Sequence, residues 1–180
     1  REVKKNDDDK VLSQSTLSIP GEGKYKGQVN ENNKREGYGV LLDVKGNRYE
    51  GDWMEDRADG WGTKIYGNGD RHEGNYALGR REGWGQYLWW NGDMFEGNWR
   101  NGSMHGPGTF KWSTGAVYSG LWRCNHMHGV GGRIEEDGAV VRGSFREGEI
   151  HGWGNKTYSC GDTYEGFFYK DRHYSDPYEV

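Results

Sequence analysis

Three histidines, His105, His128 and His151, recur at intervals of 23 residues, each immediately before a glycine. Imidazole is the commonest protein metal ligand, so an aligned trio first raises a metal site. Zinc needs nitrogens about 2.1 Å from one ion, hence within ~4 Å of one another. If the period is one β-hairpin, equivalent residues of successive hairpins stand ~9.6 Å apart, two strands at ~4.8 Å each. The trio then cannot share an ion, and the expectation is no metal and no cofactor. The histidines read instead as loop residues that hydrogen-bond a turn. In earlier copies the same position holds Glu36, Asp59 and Glu82. A carboxylate pair made of Asp59 and Glu82 would sit at the wide end of the range for an inverting glycosidase, but nothing in the pattern predicts the deep pocket that chemistry needs. Gly60-Trp61-Gly62 and its copies lack the following helix N-terminus that makes a glycine loop bind phosphate. Ser, His and Asp recur with the period and form no single catalytic constellation. The expectation is a protein that is not an enzyme.

The elements that place these residues follow from the period. Gly27, Gly51, Gly74, Gly97, Gly120, Gly143 and Gly166 hold one phase, 23 residues apart except for a first step of 24. Gly37, Gly60, Gly83, Gly106, Gly129 and Gly152 hold a second, and Gly39, Gly62, Gly85, Gly108, Gly131 and Gly154 a third. A fourth runs through Gly46, Gly69, Gly92, Gly115, Gly138 and Gly161. A fixed period of this size marks a repeat architecture. Two residues before each first-phase glycine stands Tyr25, Tyr49, His72, Phe95, Tyr118, Val141 or Tyr164, and two after it Val29, Trp53, Tyr76, Trp99, Trp122, Phe145 or Phe168.

Tyr49, Gly51 and Trp53 alternate, so they share one face of a strand while Glu50 and Asp52 take the other. A six-residue loop is expected next, then a second strand from Gly60-Trp61-Gly62 to Tyr66, then a hairpin turn at Gly67-Asn68-Gly69-Asp70. No stretch has helical period. The predicted fold is all-β, an elongated single-layer antiparallel sheet of consecutive β-hairpins, about 60–65 Å long at two strands per repeat. Residues 1–14 read as a charged, disordered or loosely attached leader, and 15–24 as an N-terminal capping half-repeat. Residues 25–168 hold six repeats and a partial seventh, and 169–180 a C-terminal cap or tail.

Composition narrows the function. The net charge of −4 argues against nucleic acid, which demands a basic face. Charged residues at 29% would suggest disorder, but aromatics at 14% sit at fixed phases and can build a thin core that grows by repetition. The two cysteines, Cys124 and Cys160, fall in different phases and imply no disulfide framework. No apolar run has the length of a membrane span. The densest basic pairs, Lys34-Arg35 and Arg80-Arg81, have acidic neighbours, short of the four to eight Lys or Arg that attract anionic lipid.

The run Tyr49-Glu50-Gly51-Asp52-Trp53, then Gly60-Trp61-Gly62, then Gly69-Asp70 resembles the MORN (membrane occupation and recognition nexus) repeat, and Phe95–Val117 resembles it equally. The likeness covers residues 25 to about 168. It implies a non-catalytic scaffold or adaptor, because the family occurs in radial spoke, ciliary and cytoskeletal proteins. It also occurs in membrane-tethering junction proteins and as N-terminal modules of larger enzymes, so a peripheral phospholipid-binding module or a regulatory module is the alternative it implies. The implied location is cytoplasmic, in a cytoskeleton, cilium, flagellum or axoneme. Departures are His72 and Val141 at the first aromatic position, and Arg133 to Glu136 where other repeats carry aromatics.

A single sheet cannot bury both sides of so many rings, and exposed aromatic patches mark interfaces. The expected partner is a protein, met through an apolar-faced helix of ~20 residues, about 30 Å long. The rings expected to receive it are Tyr76, Tyr87, Phe95, Trp99, Phe110, Trp112, Tyr118 and Trp122. Gly51, Gly60, Gly62, Gly69, Gly97, Gly106, Gly108 and Gly115 are expected to be structural. End or edge strands offer a route to self-association.

Overall fold

The computed structural model describes residues 12–174. The chain divides into two compact units, Arg1–Arg80 and Arg81–Val180. Among the described residues there is no helix.

The first unit contains β1 (Ser13–Ile19), β2 (Gly23–Val29), β3 (Arg35–Asp43), β4 (Arg48–Met54), β5 (Arg57–Ile65) and β6 (Arg71–Ala77). Each strand pairs antiparallel with the next in chain order. β1 begins at Ser13, two residues inside the stretch expected to be leader, and residues 1–11 of that stretch lie outside the described residues. The second unit contains β7 (Arg80–Leu88), β8 (Met94–Arg100), β9 (Ser103–Lys111), β10 (Val117–Arg123), β11 (His126–Ile134), β12 (Val140–Arg146), β13 (Glu149–Thr157), β14 (Thr163–Tyr169) and β15 (Arg172–Tyr174). These too pair antiparallel in chain order. Consecutive hairpins laid side by side in a single antiparallel layer are what the period predicted.

One local expectation is corrected. The six-residue loop predicted between the two strands of a repeat is mostly strand. In the repeat at 49–71 only Glu55 and Asp56 turn, at φ of 48° and 66°, and β5 resumes at Arg57. Two successive residues at positive φ make the two-residue turn whose twist matches antiparallel strands. The surplus length is absorbed by a register shift between Gly51 and Trp53, a bulge that restores the aromatic face.

The two glycines of each Gly-x-Gly serve different purposes. Gly106, the first of its pair, has a φ of 79°, which only glycine enters without strain. Gly108, the second, is tied by contact: a Cβ there would lie 2.5 Å from Cζ of Phe95. Phe95 lies across the backbone of Gly97 and Gly108, which face each other in register. Its ring packs edge-on to Trp99, centroids 5.2 Å apart at 87°, a favoured aromatic geometry. The tryptophans close the core with their polar edges. Nε1 of Trp99 donates to the Gly85 carbonyl at 3.2 Å, and Nε1 of Trp122 to that of Gly108 at 3.1 Å. In the first unit Trp53 does the same to Gly39, at 3.1 Å.

Candidate protein-binding surface

Strand alternation sends Tyr87 and Trp89 to one face, and Phe110 and Trp112 to the same face. In the second unit these four form one run. Ring centroids are 4.5 Å apart for Tyr87–Trp89, 5.1 Å for Trp89–Phe110 and 4.6 Å for Phe110–Trp112, all tilted. Tyr87 and Phe110 are buried, whereas Trp89 and Trp112 are half-buried. Beside Trp112 opens a hollow of about 280 Å³, lined by Trp112, Ala116, Met127, Arg133, Glu135 and Glu136.

The eight rings expected to meet a partner fall into two groups. Phe95, Tyr118, Trp99, Trp122, Tyr87 and Phe110 are buried in the second unit, and Tyr76 is buried in the first. Trp112 alone of the eight presents a substantial surface. Phe95 also touches Trp122, at 5.4 Å, and Phe110 touches it at 5.9 Å. The buried rings therefore make a floor under Trp89 and Trp112. Of the glycines named from the sequence, Gly60 and Gly106 lie at positive φ, Gly69 and Gly115 at positive φ in turns, and Gly51, Gly62, Gly97 and Gly108 against tyrosine or phenylalanine rings.

The ring run ends where the sequence departs from its pattern. Arg133 and Glu135 occupy the positions that Phe110 and Trp112 hold one repeat earlier. A polar network replaces the rings: Arg133 and Lys156 each reach Glu135 at 2.9 Å, and Arg133 also reaches Asp171 at 3.2 Å. Burial pushes the Glu135 carboxyl up, but hydrogen bonds from Lys156 and Arg133 outweigh it and hold it below the ordinary carboxylate range. A carboxyl depressed in the folded chain contributes stability that is present above its unfolded pKa and lost as pH falls through its folded value. Glu135→Gln is expected to be less stable than the parent at neutral pH and to converge with it in acid. Urea midpoints of both proteins between about pH 3 and 7 check this.

Tyr118 is fully buried in the core. Burial pushes its pKa up to about 12, and its hydroxyl donates to the Leu121 carbonyl at 3.0 Å. It stays neutral at any physiological pH and acts as a structural donor. Among the described residues no three His, Cys, Asp or Glu side chains gather where they could hold a metal. No helix among them is long and apolar enough to cross a membrane.

The reading of the residues passed over the opposite face. The middle residue of each Gly-x-Gly points away from the core. In the first unit these are Tyr38 and Trp61, and in the second Trp84, Pro107, Val130 and Trp153, all exposed. Leu121 and Phe167 stand opposite Pro107 and Trp153 in register. The signal was in the sequence: a large apolar residue between two glycines must face away from whatever the glycines face.

Comparison with known proteins fits this architecture. The family model described as MORN repeat matches residues 25–48, 49–71, 95–117 and 118–134. The chain is a MORN-repeat protein. The unmatched stretches include those in which His72 and Val141 take the first aromatic position. A search of curated proteins finds no match. Among solved structures, the TCP domain of SAS-4 (dCPAP) of Drosophila melanogaster, in complex with a proline-rich motif of Ana2 (dSTIL), is similar at 9% identity. That likeness covers 84% of this chain and 88% of that one, with a TM-score of 0.46. The TCP10 domain of Danio rerio CPAP, in complex with a peptide of STIL, is similar at 12% identity over 86% and 84% of the two chains, with a TM-score of 0.33. Likenesses this distant carry no argument about function.

Proposed function

We propose that this MORN-repeat chain is a non-catalytic scaffold whose second unit holds a helical segment of a partner protein along the run Tyr87–Trp89–Phe110–Trp112. The observation that carries this is the pair of half-buried tryptophans on a floor of fully packed rings, with a side-chain-sized hollow next to Trp112. Aromatic anchors beside a pocket are where binding energy concentrates. An apolar helix face presents one residue per turn, and one such residue fills the hollow. Phe95, Trp99, Tyr118 and Trp122 act from beneath by fixing the rings, and Tyr76 has that role in the first unit. The occurrence of MORN repeats in cytoskeletal and ciliary proteins supports a cytoskeletal setting.

Cross-linking in the native source, followed by mass spectrometry, identifies the partner segment. With that segment as titrant, Trp112→Ala is expected to lose about 2 kcal/mol or more of affinity while the thermal transition stays nearly unchanged. If Trp112→Ala leaves affinity intact and charge reversal at Glu50, Glu73 and Glu96 abolishes it, the reading is wrong.

A further inference from the structure

The outward face of the second unit carries a feature that the ring run does not use. Arg100, Arg123 and Arg146 end β8, β10 and β12 at the 23-residue period. Each follows a buried aromatic, Trp99, Trp122 or Phe145, so alternation sends all three to the face opposite the core, and all three are exposed. Among the described residues their side chains make no hydrogen bond or ion pair, whereas Arg48 and Arg71 at the other end of the first unit's strands are tied to Glu50 and Glu73. In the first unit the same positions hold Met54 and Ala77, so the arginines belong to the second unit alone.

Two further rows accompany them. Leu121 lies two residues before Arg123 on the same face, and Pro107, Val130, Trp153 and Phe167 extend its apolar line. A shallow trough of about 610 Å³ runs along this line past Pro107, Leu121 and Val130. His128 stands opposite Leu121 in register, and His105 and His151 hold the equivalent positions where earlier repeats carry Glu36, Asp59 and Glu82. The acidic groups along the arginine line are Glu96, in the lining of the trough, Glu82, whose carboxylate accepts from the Asn101 backbone N–H at 2.8 Å, and a pair at Arg146. Glu147 and Glu149 stand by Arg146, with His151, Tyr169 and Lys170, around a hollow of about 310 Å³. Beside Arg100 and Arg123 the turns are Asn101-Gly102 and Cys124-Asn125.

We infer that this face docks an acidic, extended segment of a partner protein, laid across the strands with its carboxylates on Arg100, Arg123 and Arg146 and its apolar residues on Pro107, Leu121 and Val130. Charge complementarity sets the occupant: a cationic row beside an apolar one matches a segment that alternates acidic and apolar residues. Spacing sets its form. The arginines stand two strands apart, ~9.6 Å, and a polyproline-type chain repeats a face every three residues, about 9.3 Å. A helix repeats a face every seven residues, about 10.5 Å, and drifts out of step along the row. The segment crosses the strands, so it is held by side chains and adds no strand to the sheet.

The probe is a fluorescein-labelled peptide of five Glu-Leu-Pro repeats, titrated by anisotropy with the full chain. Salt-sensitive binding is expected, at least about tenfold tighter than for the Lys-Leu-Pro counterpart. The combined Arg100→Gln, Arg123→Gln and Arg146→Gln variant is expected to lose about tenfold, two- to threefold per exposed charge pair. A charge-matched control, Lys24→Gln, Lys26→Gln and Arg57→Gln, alters three exposed cations of the first unit and should keep the parent affinity. Trp112→Ala should keep it too, which separates this site from the ring run. Absence of binding, equal binding of the Lys peptide, or an equal loss in the control variant overturns the inference. So does capture of phosphatidylserine vesicles through the three arginines without capture of the Glu peptide, which assigns the face to lipid.

Discussion

Trp99→Ala is expected to destabilise the chain by about 3–5 kcal/mol, the range for deleting a fully packed aromatic. Trp99 is only 3% exposed, and its loss removes four kinds of contact at once. The indole packs edge-on to Phe95 and tilted to Tyr87, at centroid distances of 5.2 and 5.9 Å. Its Nε1 donates to the Gly85 carbonyl, which then loses an enclosed donor. The Arg81 guanidinium lies 4.1 Å from its centroid, a cation–π contact of about 0.5–2 kcal/mol. A one-layer sheet has no second layer to collapse into the space, so the cavity term is not relieved. Urea unfolding monitored by circular dichroism gives the value. Trp153→Ala is the comparison, because Trp153 is 64% exposed, and its cost should remain within about 0.5 kcal/mol. Equal losses for the two would mean that the ring floor does not carry the fold.

Arg81 shows why part of this core was illegible in the sequence. Its position is held by Arg35, Ala58, Met104, Met127 and Ile150 in other repeats, and an arginine there reads as surface. The structure lays Arg35 over Trp53, centroid 4.4 Å away, and Arg81 over Trp99. A planar guanidinium stacks on an indole face while its edges are hydrogen-bonded. For Arg81 the acceptor is the Gly102 carbonyl, at 2.7 Å.

The strand pairing was legible because glycine phase and aromatic alternation both constrain it, and the glycine phase carries the register through the repeats where His72 and Val141 interrupt the aromatic one. The turn at Glu55-Asp56 was not. Two-residue turns of this kind announce themselves by Asn-Gly or Asp-Gly, as Asn101-Gly102 does, and Glu55-Asp56 and Cys124-Asn125 carry no such signal. Both pairs are nonetheless held at positive φ, because the register on either side of the turn leaves the chain two residues in which to reverse. For the candidate site, sequence located the rings without telling floor from surface. Tyr87 and Trp89 are both aromatic and share a face, and only the position of Trp89 beyond the end of β7 leaves it half-buried.

The second large effect is expected from the smallest substitution. Gly131→Ala should cost about 3 kcal/mol, the upper part of the range for overpacking. Gly131 needs no left-handed backbone. Its three nearest neighbours for an added Cβ all belong to Tyr118: Oη at 2.4 Å, and Cε2 and Cζ at 2.7 Å. Tyr118 cannot yield. It is packed edge-on between Trp122 and Phe145, at 5.2 and 5.0 Å, and its hydroxyl is committed to the Leu121 carbonyl. Shortening the ring should therefore rescue the methyl. Tyr118→Val, the residue type found at Val141 one repeat later, is itself destabilising, but combined with Gly131→Ala it should cost at least about 1 kcal/mol less than the two separate losses added together, as expected for residues in contact. Gly129 supplies the contrast. Its φ is 62° and an added Cβ would meet only Leu121, at 3.1 Å, so Gly129→Ala carries a backbone penalty of about 1–2 kcal/mol that Tyr118→Val cannot relieve. Four unfolding curves for the Gly131 cycle and one more pair for Gly129 decide it. Additive losses at Gly131 would show that its glycine is kept for a reason other than the ring, and rescue at Gly129 would show that backbone strain is not what requires glycine there.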